Sequence, residues 1–299
     1  MAVPPFQDFM LHILQFAGDA KEHTMAEARE HVAKEFGLTQ EDREELLPSG
    51  RVPRFTNRVA WCRVHLQKAG LLESRHRGSF NITPLGLDVL KKQPKRIDLK
   101  YLDQFPGHLE FYKRAKKNDG EINEGQPRPP DEVLEESYQE LRSELVTALL
   151  SALEAASPSF FERVVVELLV RMGYGGSLRD AGQAIGKSGD EGIDGIIKED
   201  RLGLDNVYIQ AKKWTAVVGR PEIQKFVGAL HGKHAKKGVF ITTSSFSSEA
   251  LEYTRLIDSR VVLIDGVTLA GYMIDFGVGT KLKQVYELKE IDNDYFDEE

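Results

Sequence analysis

Three residues in the second half of the chain have the types and the spacing needed for chemistry on a phosphodiester. Asp194 lies in the acidic, glycine-rich segment 189–195, and Gln210 and Lys212 follow on a second segment. A carboxylate is a hard oxygen ligand that suits Mg²⁺, and a glutamine carbonyl oxygen can join the same ion. An ammonium group can hold an attacking water or the charge that develops on the phosphate. The combination predicts metal-assisted hydrolysis of a phosphodiester bond in a polymeric anion.

The strand pattern decides whether these side chains can meet. Alternation with a period of two puts Gln210 and Lys212 on one face of the predicted strand Val207–Ala211 and its continuation, with the apolar residues on the other face. Asp194 enters the predicted strand Ile193–Ile197, where an aspartate is unfavourable without a functional reason. We therefore expect Asp194 to face Gln210 and Lys212 from the neighbouring strand.

A fourth candidate, Glu162, lies near the start of a predicted amphipathic helix that begins after Ser157. As a carboxylate it could join the metal site. It is also the last residue of Ser159-Phe160-Phe161-Glu162, a pattern typical of a capping box that closes a helix start. Both interpretations stay open.

Strands and helices alternate through the rest of the second half. Helices are predicted from Pro221 and from about Ser248, strands over Gly238–Thr242 and Val261–Ile264, and a last helix over Leu269–Ile274. Alternation of this kind predicts an α/β domain with a partly parallel, mixed sheet flanked by helices on both faces.

The first half of the chain has the pattern of a winged helix-turn-helix. Helical spacing of apolar residues predicts helices over 6–14, over 24–36 and from about Asn57 to Ala69. Two short predicted strands, Gly70–Ser74 and Ser79–Thr83, follow with a basic turn between them. Three helices and a hairpin form the order of this DNA-binding fold, in which the third helix reads the groove.

The distribution of charge favours an anionic partner although the net charge is −7. Residues 51–100 hold twelve Lys/Arg against three Asp/Glu, and residues 210–238 hold seven against one. Clustered basic residues mark a phosphate binder better than net charge does. A solvated charged face is the alternative for each single residue. The predicted DNA contacts are Arg54, Arg58, Trp61, His65, Lys68, Arg75, Arg77, Lys213 and Arg220.

Length and composition indicate a two-domain protein outside the membrane. The 299 residues are 41% hydrophobic and contain no apolar run of membrane-spanning length and no signal-peptide pattern. The single cysteine, Cys62, excludes an internal disulfide and a cysteine-based zinc site, so we expect a cytoplasmic protein. We expect a winged-helix domain over 1–95, a linker and bridging helix over 96–155, a catalytic domain over 156–278 and an acidic tail over 279–299.

Several motifs together identify a family. They are Phe161-Glu162, Met172-Gly173-Tyr174, the segment from Gly189 to Gly195, Gln210-Ala211-Lys212, Gly219-Arg220-Pro221-Glu222 and Gly238-Val239-Phe240-Ile241-Thr242-Thr243. In these motifs the chain resembles the Mrr-type restriction endonucleases of the restriction-endonuclease-like nuclease superfamily. The resemblance extends to the first half, whose family counterpart is a winged-helix domain. It implies a type IV, Mg²⁺-dependent endonuclease that cuts duplex DNA carrying methylated bases.

By position, the resemblance implies that Asp194, Gln210, Lys212 and Glu162 are catalytic, and that all but Lys212 bind Mg²⁺. The superfamily more often has a carboxylate where this chain has Gln210, whereas glutamine is usual in the Mrr branch. Because cutting both strands takes two active sites, we expect a homodimer or homotetramer. A non-cleaving DNA-binding regulator and a nuclease resembling Holliday-junction resolvases remain alternatives.

Overall fold

The chain folds into two units, Met1–Leu141 and Arg142–Glu299. The computed structural model describes residues 2–74, 78–111, 128–175, 193–199, 205–291 and 295. In chain order, the elements of these ranges are α1 (Phe6–Phe16), β1 (His23–Thr24), α2 (Met25–Glu35), α3 (Gln40–Glu44), α4 (Arg54–Lys68), β2 (Leu72–Glu73), β3 (Ser79–Ile82), α5 (Pro84–Lys91), α6 (Leu99–Leu102), α7 (Pro130–Ala155), α8 (Pro158–Arg171), β4 (Gly195–Lys198), β5 (Asn206–Lys212), α9 (Arg220–Gly232), β6 (Lys237–Thr242), α10 (Ser248–Leu256), β7 (Arg260–Ile264) and α11 (Gly266–Asp275).

The first unit packs its helices beside a small antiparallel sheet with the strand order β1-β3-β2. Apolar side chains of α1, α2 and α4 bury one another and the inner face of β3, with Phe9, Phe55 and Phe80 among the fully buried residues. The three predicted helices and the two hairpin strands occur in the predicted order, and the strand β1 and the short helix α3 are present in addition. Helix α4 begins three residues earlier than predicted, because Pro53 supplies an extended N-cap without a capping side chain and therefore without a sequence signal.

The range 96–155 contributes to the interiors of both units. Ile97, Leu99 and Leu102 are buried in the core of the first unit. The end of α7 adds Leu149 and Leu153 to a core of the second unit. None of the helices in the described ranges combines the length and the apolar content needed to cross a membrane.

The second unit is built on a mixed sheet with the strand order β4-β5-β6-β7, in which β4 is antiparallel to β5 and the other pairs are parallel. One face packs against α8, α11 and the end of α7. The other face packs against α9 and α10, where Phe226 and Phe240 are fully buried. The predicted mixed sheet with helices on both faces is therefore confirmed. Beyond it, residues 279–291 form no helix or strand.

Candidate active site

Asp194 is fixed by the backbone of β5. Its N–H donates to the Ile209 carbonyl oxygen at 2.8 Å, and its Oδ2 accepts from the Ala211 N–H at 2.8 Å. The paired register of β4 and β5 begins at Gly195, opposite Ile209, so Asp194 lies one residue before the paired strand and is held to β5 by these two hydrogen bonds. The preceding residues 189–192 of the glycine-rich motif lie outside the described residues.

The alternation predicted for β5 is also present. Val207, Ile209 and Ala211 point into the core beneath α8 and α11. Gln210, on the opposite face, is 4% exposed, and Lys212 is half-buried where the strand ends. The alternation places Gln210 and Lys212 on one face of β5, and the hydrogen bond from the Ala211 N–H brings the Asp194 carboxylate to the same stretch of the strand.

Glu162 lies on α8, the helix that packs against the Ile209 and Ala211 face of the sheet. Helix α8 is capped by Ser157, whose hydroxyl accepts from the Phe160 N–H at 3.2 Å, so the capping-box interpretation of Ser159 and Glu162 is wrong. The Glu162 side chain is half-buried. Burial raises the pKa of this carboxyl above its usual range, the negative charge of Asp194 raises it further, and Lys212 lowers it. The carboxyl therefore lies within electrostatic reach of both partners.

The donor set fits a hard divalent cation. The negative charge of Asp194 raises the pKa of Glu162, an unfavourable interaction that a cation would relieve, and Gln210 carries a further oxygen on β5. Within the described ranges, no cluster of three or more His, Cys, Asp or Glu side chains is arranged to hold a metal. Magnesium commonly binds through only one or two carboxylates, with water and substrate phosphate completing its shell.

The raised pKa of Glu162, caused first by burial and then by the charge of Asp194, predicts a measurable effect on stability without metal. Because the folded-state pKa of Glu162 is raised above the usual 4.5, its ionisation destabilises the folded protein at neutral pH, and this penalty disappears as the pH falls below 4.5. We expect Glu162→Gln to raise the Tm in EDTA at neutral pH and to give no gain near pH 4. Differential scanning fluorimetry tests this, with Glu167→Gln on the exposed side of α8 as the control. An unchanged Tm for Glu162→Gln at neutral pH would contradict the raised pKa of Glu162.

Lys213 has a different role from its neighbour Lys212. Its ammonium group donates to the backbone carbonyl oxygens of Glu154 at 2.8 Å and Ala156 at 2.7 Å. These carbonyls lie at the carboxyl end of α7, where helical hydrogen bonds run out and a positive charge is favourable. The sequence predicts Lys213 as a DNA contact, but in the structure its ammonium group binds backbone carbonyls within the second unit. It links the end of β5 to the junction between α7 and α8.

This contact predicts that Lys213→Met loses about 1–3 kcal/mol of stability, because two carbonyl oxygens lose a charged donor. Chemical denaturation measures the change. Lys225→Met is the control, since Lys225 pairs with Glu222 on the exposed surface of α9, and it should unfold at nearly the wild-type denaturant concentration. Equal midpoints for the two variants would contradict the assignment.

The other basic residues of the second unit are only partly available to DNA. Arg220 is exposed at the start of α9, with its guanidinium 5.0 Å from the centre of the Tyr253 ring. Lys237, by contrast, binds Glu199 and Asp205. Among these residues, Arg220 is the predicted DNA contact whose charge faces solvent.

A pocket that the sequence did not indicate opens beside the end of β5. It has a volume of about 350 Å³. It is lined by Glu154, Lys213, Trp214, Thr215, Ala216 and Thr243. Its walls come from three separate parts of the chain, so no local pattern could predict it.

In the first unit, the two predicted arginine contacts on α4 are held by carboxylates. The Nε and Nη2 atoms of Arg58 each donate to one oxygen of Glu132 at 2.8 Å. Arg54 donates from Nη1 to Glu132 at 3.3 Å and from Nε to Glu45 at 2.9 Å. Both arginines are largely buried by these contacts, with side chains 12% and 19% exposed.

The remaining predicted contacts on α4 are also covered to different degrees. Trp61 donates from Nε1 to Asp131 at 3.1 Å. His65 is buried 3.1 Å from a His108 ring nitrogen, and burial lowers its pKa to about 4. Lys68 is exposed, with its ammonium 5.5 Å from the centre of the Phe111 ring. Arg75 and Arg77 lie outside the described residues.

Comparisons with known proteins cover both units. The family model described as "Restriction endonuclease" matches residues 153–273, and that described as "Mrr N-terminal domain" matches residues 6–92. The type IV methyl-directed restriction enzyme EcoKMrr of Escherichia coli (strain K12) is 36% identical over 322 residues, an alignment that covers 99% of this chain and 100% of that protein.

Two solved structures show weaker similarity. The DNA modification-dependent restriction endonuclease AspBHI matches with a TM-score of 0.36 and 20% identity, over 45% of this chain and 36% of its own. The MspJI restriction endonuclease, in complex with a 27-mer oligonucleotide, matches with a TM-score of 0.28 and 24% identity, over 52% of this chain and 34% of its own. TM-scores of this size support no argument about function.

Proposed function

Because the chain belongs to the Mrr family of restriction endonucleases, we propose that it is a Mg²⁺-dependent enzyme that cuts duplex DNA carrying methylated bases. Membership makes it a restriction endonuclease, and the family generally uses divalent metal ions. The methyl-directed activity named for EcoKMrr supports methylated DNA as the substrate. The observation that supports the proposal most is the hydrogen bond from the Ala211 N–H to Asp194, which brings this carboxylate to the stretch of β5 that carries Gln210 and Lys212.

In this proposal Mg²⁺ is held by the carboxylates of Asp194 and Glu162 and by the Gln210 carbonyl oxygen. When bound, the ion supplies charge neutralisation at the phosphate and a water of lowered pKa. A glutamine in place of a third carboxylate has an electrostatic consequence. Two carboxylates balance one divalent ion, so the charge of Lys212 remains available for the anionic phosphodiester.

The chain's own residues then orient the reaction. The Ala211 N–H holds one oxygen of Asp194, which fixes the direction of that carboxylate. Lys212 is half-buried, so its ammonium acts where water screens it less than at an open surface. We propose that it holds the attacking water or a phosphate oxygen and stabilises the charge that develops there.

The proposal extends to assembly and location. A homodimer or homotetramer would bring two active sites to the two strands of one duplex. A cytoplasmic location would give the enzyme access to incoming DNA. In the first unit, the predicted reader of that DNA is α4, with the hairpin β2–β3 beside it.

Plasmid cleavage tests the proposed function. Supercoiled plasmid from methylating and non-methylating hosts is incubated with the protein in Mg²⁺ or in EDTA. We expect linear product only from methylated plasmid with Mg²⁺. Binding without cleavage under every condition would favour the non-cleaving regulator, and cleavage confined to four-way junctions would favour the resolvase.

A further inference from the structure

We propose that the acidic start of α7 is an internal competitor for the DNA-binding side of α4, and that duplex binding requires it to leave. The inference rests on the proposed DNA binding by the first unit. The surface concerned, here called the α4 stripe, is defined by side chains at helical spacing along one side of α4. Its members are Arg54, Arg58, Trp61, His65 and Lys68.

The contact between Arg58 and Glu132 has the paired geometry of an arginine–phosphate contact. Arg58 binds the carboxylate of Glu132 through Nε and Nη2, each at 2.8 Å. The planar guanidinium fork binds carboxylate and phosphate with the same paired geometry, so one anion excludes the other. Arg58 also donates from Nη1 to the backbone carbonyls of Val3 and Pro4, which keeps the fork in place.

Further polar contacts join the start of α7 to the α4 stripe on either side of the Arg58–Glu132 pair. Arg54 lies 3.3 Å from Glu132 and 3.7 Å from Glu136. Trp61 donates to Asp131 at 3.1 Å. Four carboxylates in the first two turns of α7 thus form an acidic strip, and three of them contact members of the α4 stripe. The fourth, Glu135, accepts from the N–H and the hydroxyl of Ser49, each at 2.8 Å.

Charged and polar contacts, and not apolar packing, hold the start of α7 against the α4 stripe. Over residues 130–141, Glu132 is the one buried side chain, at 0% exposed. Val133 and Leu134 are each 41% exposed, and Tyr138 is 57% exposed. Apolar burial is what makes helix docking hard to reverse, and little of it is present here. An interface made of carboxylate–guanidinium contacts can be exchanged for phosphate–guanidinium contacts at small net cost.

The first test measures duplex affinity. Glu132→Gln/Glu136→Gln removes two carboxylates that face Arg54 and Arg58. If the covered state outweighs the open state by about ten to one, the Kd for a methylated duplex falls about tenfold at constant salt. The control is Glu140→Gln/Glu144→Gln, which makes the same change in net charge at exposed positions farther along α7. Its Kd should stay within about twofold of the wild-type value.

A second variant covers the case in which the first does not fold. Loss of Glu132 leaves Arg58 without its buried partner, and that can be strongly destabilising. Asp131→Ala/Glu135→Ala instead removes acceptors of Trp61 and Ser49 and keeps the Arg58–Glu132 pair. We expect this variant to bind the duplex more tightly than wild type as well, by a smaller factor.

Hydrogen exchange gives a readout that a purely structural role for Glu132 would not change. Addition of methylated duplex to the wild-type full-length protein should increase amide exchange over 131–141 while α4 becomes protected. Equal Kd values for the wild type and both acidic-strip variants, with no increase in exchange, would overturn the competitor but leave the proposed function standing. Absence of duplex binding by every variant would overturn both.

Discussion

Replacing Asp194 with asparagine is expected to reduce the rate of DNA cleavage by about 10³-fold or more, because the proposed metal site loses one of its two carboxylates. The asparagine carbonyl oxygen can still accept the Ala211 N–H, so the link between β4 and β5 is preserved. Thermal stability and duplex affinity should therefore stay close to the wild-type values. Single-turnover cleavage of methylated plasmid at saturating protein measures the loss.

Asp205→Asn provides the matched control for this variant. Asp205 lies just before β5, is largely exposed and binds Lys237 away from the proposed catalytic residues. Its loss should leave the cleavage rate within about twofold of wild type. If Asp194→Asn cleaves as fast as Asp205→Asn, the assignment of Asp194 is wrong.

Lys212→Met is expected to reduce the cleavage rate by about 10²–10³-fold, because the charge that develops on the phosphate loses the cationic side chain proposed to stabilise it. Stability should change little, since β5 keeps its backbone pairing and Met retains the length of the lysine stem. Rates are measured at saturating DNA over a range of Mg²⁺ concentrations.

The contrast between two adjacent lysines sharpens this prediction. Lys213→Met should lose stability and keep its rate where it is folded, whereas Lys212→Met should keep stability and lose its rate. If additional Mg²⁺ restores full activity to Lys212→Met, then Lys212 acts on metal affinity and not on the phosphate. Full activity without added metal would remove Lys212 from the mechanism.

The catalytic half was predictable from sequence because its signals are local. The alternation of β5 fixes which of its side chains share a face, and the hydrogen bond from the Ala211 N–H brings the Asp194 carboxylate to the same strand. Glu162 was ambiguous, because Ser157 and Ser159 both precede the helix and either could have been its cap. The structure decides in favour of Ser157, since its hydroxyl is the one that accepts from the helix backbone.

The contacts that cover the polar side of α4, the predicted DNA-reading helix, could not be predicted from local sequence signals. The periodicity of α4 correctly identifies a polar side, but periodicity does not reveal what covers that side. Glu132 is separated from Arg58 by 74 positions, and most of the intervening segment has the composition of a linker. Lys213 is a similar case, because its carbonyl partners lie more than fifty positions earlier in the chain.

Metal-directed cleavage of the protein itself tests the central claim most directly. Fe²⁺ in place of Mg²⁺, with ascorbate and peroxide, breaks the backbone beside the bound ion, and mass spectrometry maps the breaks. The account predicts breaks near Glu162, Asp194 and Gln210 that excess Mg²⁺ suppresses and that Asp194→Asn abolishes. Breaks clustered elsewhere in the chain, or breaks at these positions that persist in Asp194→Asn, would contradict it.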